Sequence, residues 1–279
     1  MHRDLGPTEF VGILPAAGIA SRLSPSRYVK ELLPVTYLVD EDNRTSAPVP
    51  VIVLSLRALR AADVTRCVVT ISERKPELLR YLGDGSDFGL SLAYVQQPSP
   101  TGLTSAIKLG FDWTRDCYSC LLLPDTVIYP RTAMRSVRKL VERESCDLAL
   151  GVFPTDVPEQ LGPVRFDSDG RVRQVLDKPA ATDLRNTWAM AIWSPRFASL
   201  LDQVVSSGGE GKALGEVFNL AVLEGMDVRA VWFPDGAFVD IGTVKGLAKM
   251  LQLAEVQDLS RIPDSNLLVD PEKESVASR

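Results

Sequence analysis

The chain alternates between short apolar runs and stretches in which apolar residues recur at the spacing of one helix face. Apolar runs typical of buried strands occupy residues 11–15, 67–71, 90–95, 120–124 and 147–153. Helical patterns lie between them at residues 51–62, 103–113 and 133–143. Because parallel strands need a long crossover, usually a helix, this alternation predicts an α/β fold with a mostly parallel sheet and helices on both faces.

The second part of the chain has a different pattern. Residues 164–179 alternate apolar and polar side chains around Asp169-Gly170, which predicts a β-hairpin with its turn at that pair. Further strands are expected at 190–194 and 228–233, and helices at 197–205, 214–224 and 243–253. The polar, proline-containing residues 39–50 predict an inserted loop. We expect a single domain over residues 1–258 and a flexible tail over 259–279, where periodicity is lost.

Composition and charge exclude several kinds of partner. The 279 residues carry 31 basic and 36 acidic side chains, a net charge of −5, so a nucleic-acid partner, which requires a basic face, is not expected. No stretch approaches the roughly 20 apolar residues of a membrane span, and the N-terminal residues lack the apolar core of a signal peptide. We therefore expect a cytoplasmic protein without a membrane partner.

Histidine and cysteine limit the chemistry further. The only histidine is His2, so reactions that need a histidine base or a histidine-rich metal site are nearly excluded. Cys117 and Cys120 form a C-x-x-C pair, but no second pair or histidine follows at the spacing of a zinc site. With Cys67 and Cys146, they are expected to be reduced, largely buried thiols without a catalytic role.

The residues that follow the first predicted strand carry the strongest chemical signal. The stretch LPAAGIASRLSPSRYVKELLPV, residues 14–35, puts small side chains at a strand end and then adds Arg22 and Lys30. Ligands of parallel sheets bind outside the carboxyl ends of the strands, and a small-residue turn lets backbone N–H groups approach an anion. Arg22 offers a planar fork for phosphate and Lys30 a point charge. For this stretch alone, the alternative is a tight turn followed by a charged surface.

This stretch resembles the signature of the sugar-1-phosphate nucleotidylyltransferases, L-A-A-G-x-G-T-R-L-x-P-x-T-x-x-x-P-K-x-L-L-P-V. Three positions depart from it: Ala20 stands for the second glycine, Ser21 for threonine and Val29 for the proline before the lysine. The resemblance is to the glucose-1-phosphate thymidylyl- and uridylyltransferases and extends to about residue 253. It implies a Rossmann-like, GT-A-like nucleotidyltransferase fold, with a nucleotide-binding part at about residues 9–155 and a sugar-binding part at about 156–258.

For the nucleotide, the resemblance implies two groups of binding residues. The small-residue loop would hold the phosphates, with Arg22 and Lys30 as catalytic cations. Its nucleotide-binding residues would be Leu14, Ala16, Ala17, Gly18, Ala20 and Ser21. The segment QPSPTGLTSA, residues 97–106, is similar to the base-recognition segment Q-P-x-P-x-G-L-A-Q-A. There Gln97 would read the edge of a pyrimidine, and Pro100 and Gly102 would lie against the base; a strand end, a proline turn and a helix start are the alternative.

Two further segments are similar to the family's metal-binding segments. LLLPDT, residues 121–126, contains Asp125, and VDIGT, residues 239–243, contains Asp240. The resemblance implies that these two aspartates hold Mg²⁺, which takes few protein oxygens and completes its shell with phosphates and waters. Either aspartate alone is more often a helix cap or a solvated strand end.

LGPVRFDSDGRVRQVLDKP, residues 161–179, resembles the family's sugar-site hairpin. Gly162 would meet sugar hydroxyls through its backbone, Asp177 would accept from them, and Lys178 would act as a catalytic cation at the sugar phosphate. Asp177 stands where the family has glutamate, and Trp188 lies in a segment that lacks the family's usual G-[IL]-Y. These departures predict a non-standard sugar pocket.

The resemblance implies transfer of a nucleotidyl group from a pyrimidine nucleoside triphosphate, dTTP or UTP, to a sugar 1-phosphate, with release of pyrophosphate. The sugar phosphate is itself the nucleophile, which agrees with a chain whose single histidine is at position 2. Two alternatives stay open: the same chemistry on a modified sugar or a cyclitol phosphate, and a catalytically weak homologue that binds nucleotide-sugar and regulates a partner. Family members are often dimers or tetramers, so a homo-oligomer is among the implied assemblies.

Overall fold

The computed structural model of this chain describes residues 9–19, 28–39 and 45–255. The strands, numbered in chain order, are β1 (Phe10–Pro15), β2 (Pro34–Val39), β3 (Thr45–Pro50), β4 (Arg66–Ile71), β5 (Ser91–Gln96), β6 (Tyr118–Leu122), β7 (Thr126–Tyr129), β8 (Leu148–Pro154), β9 (Val164–Phe166), β10 (Val172–Val175), β11 (Asn186–Trp193), β12 (Val228–Trp232) and β13 (Ala237–Asp240). The helices are α1 (Val51–Ala61), α2 (Pro76–Leu82), α3 (Leu103–Lys108), α4 (Phe111–Thr114), α5 (Ala133–Glu144), α6 (Pro195–Ser206), α7 (Leu214–Leu223) and α8 (Val244–Glu255). Short 3-10 turns lie at Lys30–Leu32, Ser86–Phe88 and Pro158–Gln160.

Among the described residues, seven strands form a central sheet in the order β12-β8-β11-β6-β1-β4-β5. β11 runs antiparallel to both of its neighbours, β6 and β8, and the remaining strand pairs of this sheet are parallel. The mostly parallel α/β fold predicted from the alternating pattern is therefore confirmed. Antiparallel ribbons formed by β2 with β3, β7 with β13 and β9 with β10 lie beside the sheet.

The sheet separates two hydrophobic cores, because successive residues of a strand point to opposite faces. In β1, Leu14 belongs to the core that includes residues of α1, α2 and α5, whereas Ile13 belongs to the core that includes residues of α6 and α7. Both side chains are fully buried. Helices thus cover both faces, which explains why the strands read as nearly continuous apolar runs.

The hairpin predicted around Asp169-Gly170 is present as β9 and β10. Gly170 adopts a φ of 82°, in the left-handed region, and its N–H donates to the Asp167 carbonyl oxygen at 2.9 Å. A Cβ at this position would lie 2.9 Å from the carbonyl oxygen of Ala230. Both the backbone conformation and this close approach therefore require glycine.

Two sequence-based expectations are wrong in detail. The loop expected at residues 39–50 includes β3, which pairs with β2. Its prolines, Pro48 and Pro50, indicated a loop, but a two-stranded ribbon has open edges at which a missing N–H donor is tolerated. The single helix expected at residues 103–113 is divided into α3 and α4 by Leu109 and Gly110.

The cysteines of the chain are free thiols. Cys67, Cys120 and Cys146 are buried and Cys117 is half-buried, in agreement with the expected reduced and largely buried thiols. Burial raises the pKa of the Cys146 thiol to about 12, so this thiol is not ionised at neutral pH.

Within the part of the chain that the structure describes, no helix combines the length and apolar character needed to cross a membrane. His2 and the tail expected over residues 259–279 lie outside the described residues.

Candidate active site

The small-residue loop begins at the carboxyl end of β1. Ala16 and Ala17 are buried, whereas Gly18 is exposed. The Ala16 N–H donates to the Thr70 carbonyl oxygen at 2.8 Å, which extends the pairing of β1 with β4. Leu14 lies inside β1, and its side chain is in the core rather than at this edge. Other predicted site residues of this loop lie outside the described residues: Ala20, Ser21 and Arg22.

Lys30 lies beside two carboxylates. Its ammonium donates a hydrogen bond to the Asp125 carboxylate, and the two side chains are only 13% and 11% exposed. The Glu31 carboxylate lies 3.9 Å from the same nitrogen. Burial by itself lowers the pKa of Lys30, but Asp125 and Glu31 outweigh burial and raise the pKa above its usual value. Lys30 is therefore a fixed cation, and its nitrogen is 4.0 Å from where a Cβ on Gly18 would stand.

The β7–β13 ribbon brings the segments of the two predicted metal carboxylates next to each other. β13 places Asp240 opposite Thr126, and the Ile241 N–H donates to the Asp125 carbonyl oxygen at 3.0 Å. The Gly242 N–H donates to Asp240 Oδ1 at 2.8 Å and orients that carboxylate. The Asp240 charge also contributes to the raised pKa of Lys30. Two carboxylates from distant parts of the chain therefore act on one ammonium.

These donors fit a small divalent cation that binds oxygen. In the described part of the chain, no cluster of three or more His, Cys, Asp or Glu side chains is arranged to hold a metal ion. Asp125 and Asp240 supply two carboxylates beside a loop suited to anions. Mg²⁺ prefers such a site, in which few protein oxygens bind it and phosphates and waters supply the rest.

A second buried ion pair at this edge was not predicted from the sequence. Glu31 is fully buried in its 3-10 turn, and Lys75, which precedes α2, is 7% exposed. The Lys75 ammonium donates to both Glu31 carboxylate oxygens, at 2.8 and 2.9 Å, and to the Ala16 carbonyl oxygen at 2.7 Å. Burial raises the pKa of Glu31 and lowers that of Lys75, and each partner opposes the shift of the other. Little in the sequence indicates this pair, because Lys75 is only a lysine before a proline and Glu31 only an acid within K-E-L-L-P.

Gln97 directly follows β5 at the same edge of the sheet. Its N–H donates to the Ile71 carbonyl oxygen at 2.8 Å, and its side chain is buried. The side-chain amide lies 3.4 Å from both the Thr101 hydroxyl and the Gly102 carbonyl oxygen, so these contacts are weak. Gly102 has a φ of 116°, which favours glycine, and Pro100 is exposed in the turn between them.

Two of the predicted sugar-site residues are in direct contact. The Gly162 N–H donates to the Thr187 hydroxyl at 3.1 Å, and the Gly162 carbonyl oxygen accepts from the Trp188 N–H at 3.1 Å. A Cβ on Gly162 would lie 2.3 Å from Trp188 Nε1, so only glycine allows the indole to lie against this backbone. The indole Nε1 is buried and has no hydrogen-bond partner among the described residues.

Asp177 and Lys178 follow the hairpin, next to this contact. Both side chains are exposed, and the Lys178 N–H donates to the Leu161 carbonyl oxygen at 2.8 Å. Lys178 has a φ of 43°, a left-handed conformation that is uncommon for a residue with a Cβ and that concentrates at functional sites. Gly215, near the start of α7, was not predicted. A Cβ there would lie 3.6 Å from Trp188 Nε1 and 3.7 Å from Asp177 Cβ.

These groups follow one another along one edge of the central sheet. Gln97 follows β5, Ala16 follows β1 and Asp125 lies just beyond β6. Because β11 is antiparallel, its first residues, with Trp188 among them, lie at the edge formed by the carboxyl ends of β6 and β8. Neighbouring strands are about 4.8 Å apart, so the groups form a row. Such a row can bind an extended anion and stabilise negative charge that develops beside Lys30.

Solved structures with this architecture define the class of fold. A Bacillus anthracis protein assigned as a glucose-1-phosphate thymidylyltransferase, in complex with sucrose, superimposes with a TM-score of 0.77 at 20% identity, over 88% of this chain and 95% of that one. A UDP-glucose pyrophosphorylase without ligand superimposes with a TM-score of 0.73 at 16% identity, over 90% and 99% of the two chains. The fold is therefore that of a nucleotidyltransferase.

The family model for nucleotidyl transferases matches residues 12–256, and the chain belongs to this family, among its sugar-1-phosphate nucleotidylyltransferases. The resemblance predicted from the motifs is confirmed.

Among the relatives, glucose-1-phosphate thymidylyltransferase of Neisseria meningitidis is 28% identical over 268 residues, 90% of this chain and 85% of the relative. The enzyme of that name from Neisseria gonorrhoeae is 33% identical over 181 residues, 64% of this chain and 58% of the relative. Agl11 of Haloferax volcanii, a low-salt glycan biosynthesis nucleotidyltransferase, is 30% identical over 204 residues, 70% of this chain and 52% of the relative. The matches thus span little more than half of the last two relatives.

Proposed function

We propose that this protein transfers a nucleotidyl group from a pyrimidine nucleoside triphosphate, dTTP or UTP, to a sugar 1-phosphate, with Mg²⁺ as cofactor. An oxygen of the sugar phosphate attacks the α-phosphorus of the nucleotide. The bond from that phosphorus to the bridging oxygen breaks, and pyrophosphate leaves with that electron pair. The relatives named glucose-1-phosphate thymidylyltransferase support this class of substrates.

The order of groups along the sheet edge carries the proposal. Gln97 lies at one side, the loop at Gly18 and the Lys30–Asp125 pair follow, and Gly162 lies at the other side. A nucleoside triphosphate next to a sugar phosphate has a matching arrangement: the base on one side, the phosphates with the reacting α-phosphorus in the middle, and the sugar on the other side. One row of sites therefore suits both substrates bound side by side.

No protein base is needed for this reaction. The phosphate monoester has a second pKa near 6, so it is largely a dianion at neutral pH. The barrier arises mainly from bringing two polyanions together, and cations lower it by positioning and by stabilising charge. In this assignment Lys30 acts at the α-phosphate, Lys178 at the attacking phosphate, and Arg22 at the β- and γ-phosphates.

Asp125 and Asp240 are assigned as the protein ligands of Mg²⁺. When bound, the ion supplies positive charge to phosphate oxygens of both substrates. Asp125 also accepts the hydrogen bond from Lys30, and the Gly242 N–H keeps Asp240 oriented. For the base, the Gln97 amide offers both a donor and an acceptor, which suits the edge of uracil or thymine.

A screen of ATP, GTP, CTP, UTP and dTTP against a panel of sugar 1-phosphates, read by pyrophosphate release, tests the proposal. We expect release with UTP or dTTP that requires both Mg²⁺ and a sugar phosphate. Asp240→Asn, purified identically, controls for contaminating enzymes. A purine preference would contradict the assignment of Gln97, and binding of nucleotide-sugar without any release of pyrophosphate would support a regulatory homologue instead.

One observation favours an acceptor other than an ordinary hexose phosphate. The indole of Trp188 lies against Gly162, and Asp177 is one methylene shorter than the glutamate of the family pattern. The Haloferax volcanii relative is named for low-salt glycan biosynthesis, so named relatives extend beyond glucose-1-phosphate thymidylyltransferases. The second candidate is therefore the same transfer to a modified sugar or a cyclitol phosphate, and the panel should contain both.

A further inference from the structure

The buried pair of Glu31 and Lys75 connects three separate segments at the sheet edge. Glu31 lies in the 3-10 turn beside Lys30, Lys75 lies between β4 and α2, and Ala16 begins the small-residue loop. Lys75 donates to two Glu31 oxygens and to the Ala16 carbonyl oxygen, which matches the three donors of an ammonium. Because burying two charges is expensive even when they are paired, packing alone does not account for this pair.

The bond from Lys75 fixes the direction of one peptide group in the loop. The carbonyl of Ala16 and the N–H of Ala17 belong to the same planar, trans peptide, in which they point in opposite directions. With the Ala16 oxygen held inward by Lys75, the Ala17 N–H points to the other side of the loop. Within the described part of the chain, that N–H has no hydrogen-bond acceptor. This backbone donor is therefore unused by the described residues, although Ala17 is buried.

The same pair also keeps Glu31 bonded to Lys75, so that Lys30 stays hydrogen-bonded to Asp125 rather than to Glu31. Lys75 lies 2.8 Å from Glu31, whereas Lys30 lies 3.9 Å away and is hydrogen-bonded to Asp125 instead. If Lys75 lost its charge, Glu31 would be a buried carboxylate whose nearest remaining cation among the described residues is Lys30. Lys30 would then be drawn away from Asp125 and from the loop.

We propose that Glu31 and Lys75 are positioning residues for the nucleoside triphosphate: they orient the Ala17 N–H toward its phosphates and leave Lys30 available to them. This inference rests on the proposed function. It predicts that the pair determines nucleotide affinity more than it determines the stability of the fold, and that it has little influence on the sugar phosphate.

The test compares Lys75→Met with the double variant Glu31→Gln/Lys75→Met. Calorimetry in the presence of Mg²⁺ measures the Kd of UTP or dTTP, whichever the parent binds. Thermal melting measures stability, and steady-state kinetics give the KM for each substrate.

Both variants should bind nucleotide at least about tenfold more weakly, because each loses the charged hydrogen bond to Ala16. The double variant should melt close to the parent, since removing both charges of a buried pair is often neutral. The KM for sugar 1-phosphate should change by no more than about twofold. This change is much smaller than the roughly tenfold loss of nucleotide affinity expected when a charged hydrogen bond is removed.

Lys108→Met is the control, because it removes a different lysine–carboxylate pair, the more exposed pair of Lys108 with Asp202 at 2.9 Å, away from the loop. It should leave nucleotide affinity unchanged; an equal loss of affinity in this variant would overturn the inference.

If Lys75→Met does not fold, the double variant alone decides the test. A stable double variant that binds nucleotide as well as the parent shows that the pair is structural only. A parent that binds no nucleoside triphosphate contradicts the proposed function, and the inference with it; a parent that turns over while the variants match it contradicts the inference alone.

Discussion

Lys30 and Asp125, 95 positions apart in the chain, form an ion pair in which both side chains are almost buried. Breaking a buried pair by removing one partner leaves an uncompensated charge. The two residues also lie where the small-residue loop, the β7–β13 ribbon and the carboxyl end of β6 converge. Under the proposed roles, changes at this pair should therefore affect both catalysis and the charge balance of the site.

Asp125→Asn should abolish most turnover while the protein stays folded. The amide cannot serve as an anionic metal ligand, and Lys30 loses its nearest carboxylate. We expect kcat to fall by at least about a hundredfold, the range found when one preorganised group that stabilises charge is removed. Pyrophosphate release over a Mg²⁺ titration, with circular dichroism as a check of folding, measures this. Asp112→Asn, which removes an exposed pair with Arg115, is the control; full Mg²⁺-dependent activity in Asp125→Asn would remove it from the metal site.

Gln97→Leu should reduce discrimination between bases without unfolding the protein. Leucine fills a similar volume but offers neither donor nor acceptor, so a pyrimidine edge gains no advantage over a purine. The amide's contacts of 3.4 Å are weak, so the melting temperature should change little. Ranking five nucleoside triphosphates by kcat/KM for parent and variant tests this, and an unchanged ranking would show that Gln97 does not read the base.

Gly162→Ala should destabilise the protein by about 1–3 kcal/mol, the usual cost of overpacking. The added Cβ would lie 2.3 Å from Trp188 Nε1, so the indole must move. Adding Trp188→Val should recover part of the lost stability. Chemical denaturation measures both variants, and kinetics should show the KM for the sugar phosphate rising more than that for the nucleotide. An alanine variant as stable and active as the parent would place this glycine outside any sugar pocket.

Thiol modification should distinguish Cys117 from the other cysteines. Cys117 is half-buried, whereas Cys67, Cys120 and Cys146 are buried, and burial raises the pKa of all four thiols. In the folded protein at pH 8, a chromogenic disulfide reagent should therefore react first with Cys117. Mass spectrometry of partly modified protein identifies the site, and guanidinium should release all four thiols. Early modification of a buried cysteine would contradict the packing described for the central sheet.

Local patterns predicted much of the fold. The apolar run of β1 and the alternation around Gly170 each carry their own signal, since one reflects a strand buried on both faces and the other a strand pair with one exposed face. β3 was missed because Pro48 and Pro50 resemble loop residues when their ribbon partner is unknown.

The candidate site was predicted less completely than the fold. Motif positions named Lys30, Asp125 and Asp240, which the structure places together, although their roles remain predictions. Glu31 and Lys75 carried no comparable signal, because a partner 44 positions away is chosen by tertiary packing. Nor does spacing alone show an indole lying against a glycine.

The β7–β13 ribbon also has a consequence for the order in which the protein is made. Strands β1, β4, β5 and β6, which border the proposed phosphate and base sites, are complete once residue 122 has left the ribosome. Asp240 arrives much later, on β13. Under the proposed roles, the groups assigned to the nucleotide are therefore synthesised well before the second carboxylate assigned to Mg²⁺, and the site is complete only when β13 has paired with β7.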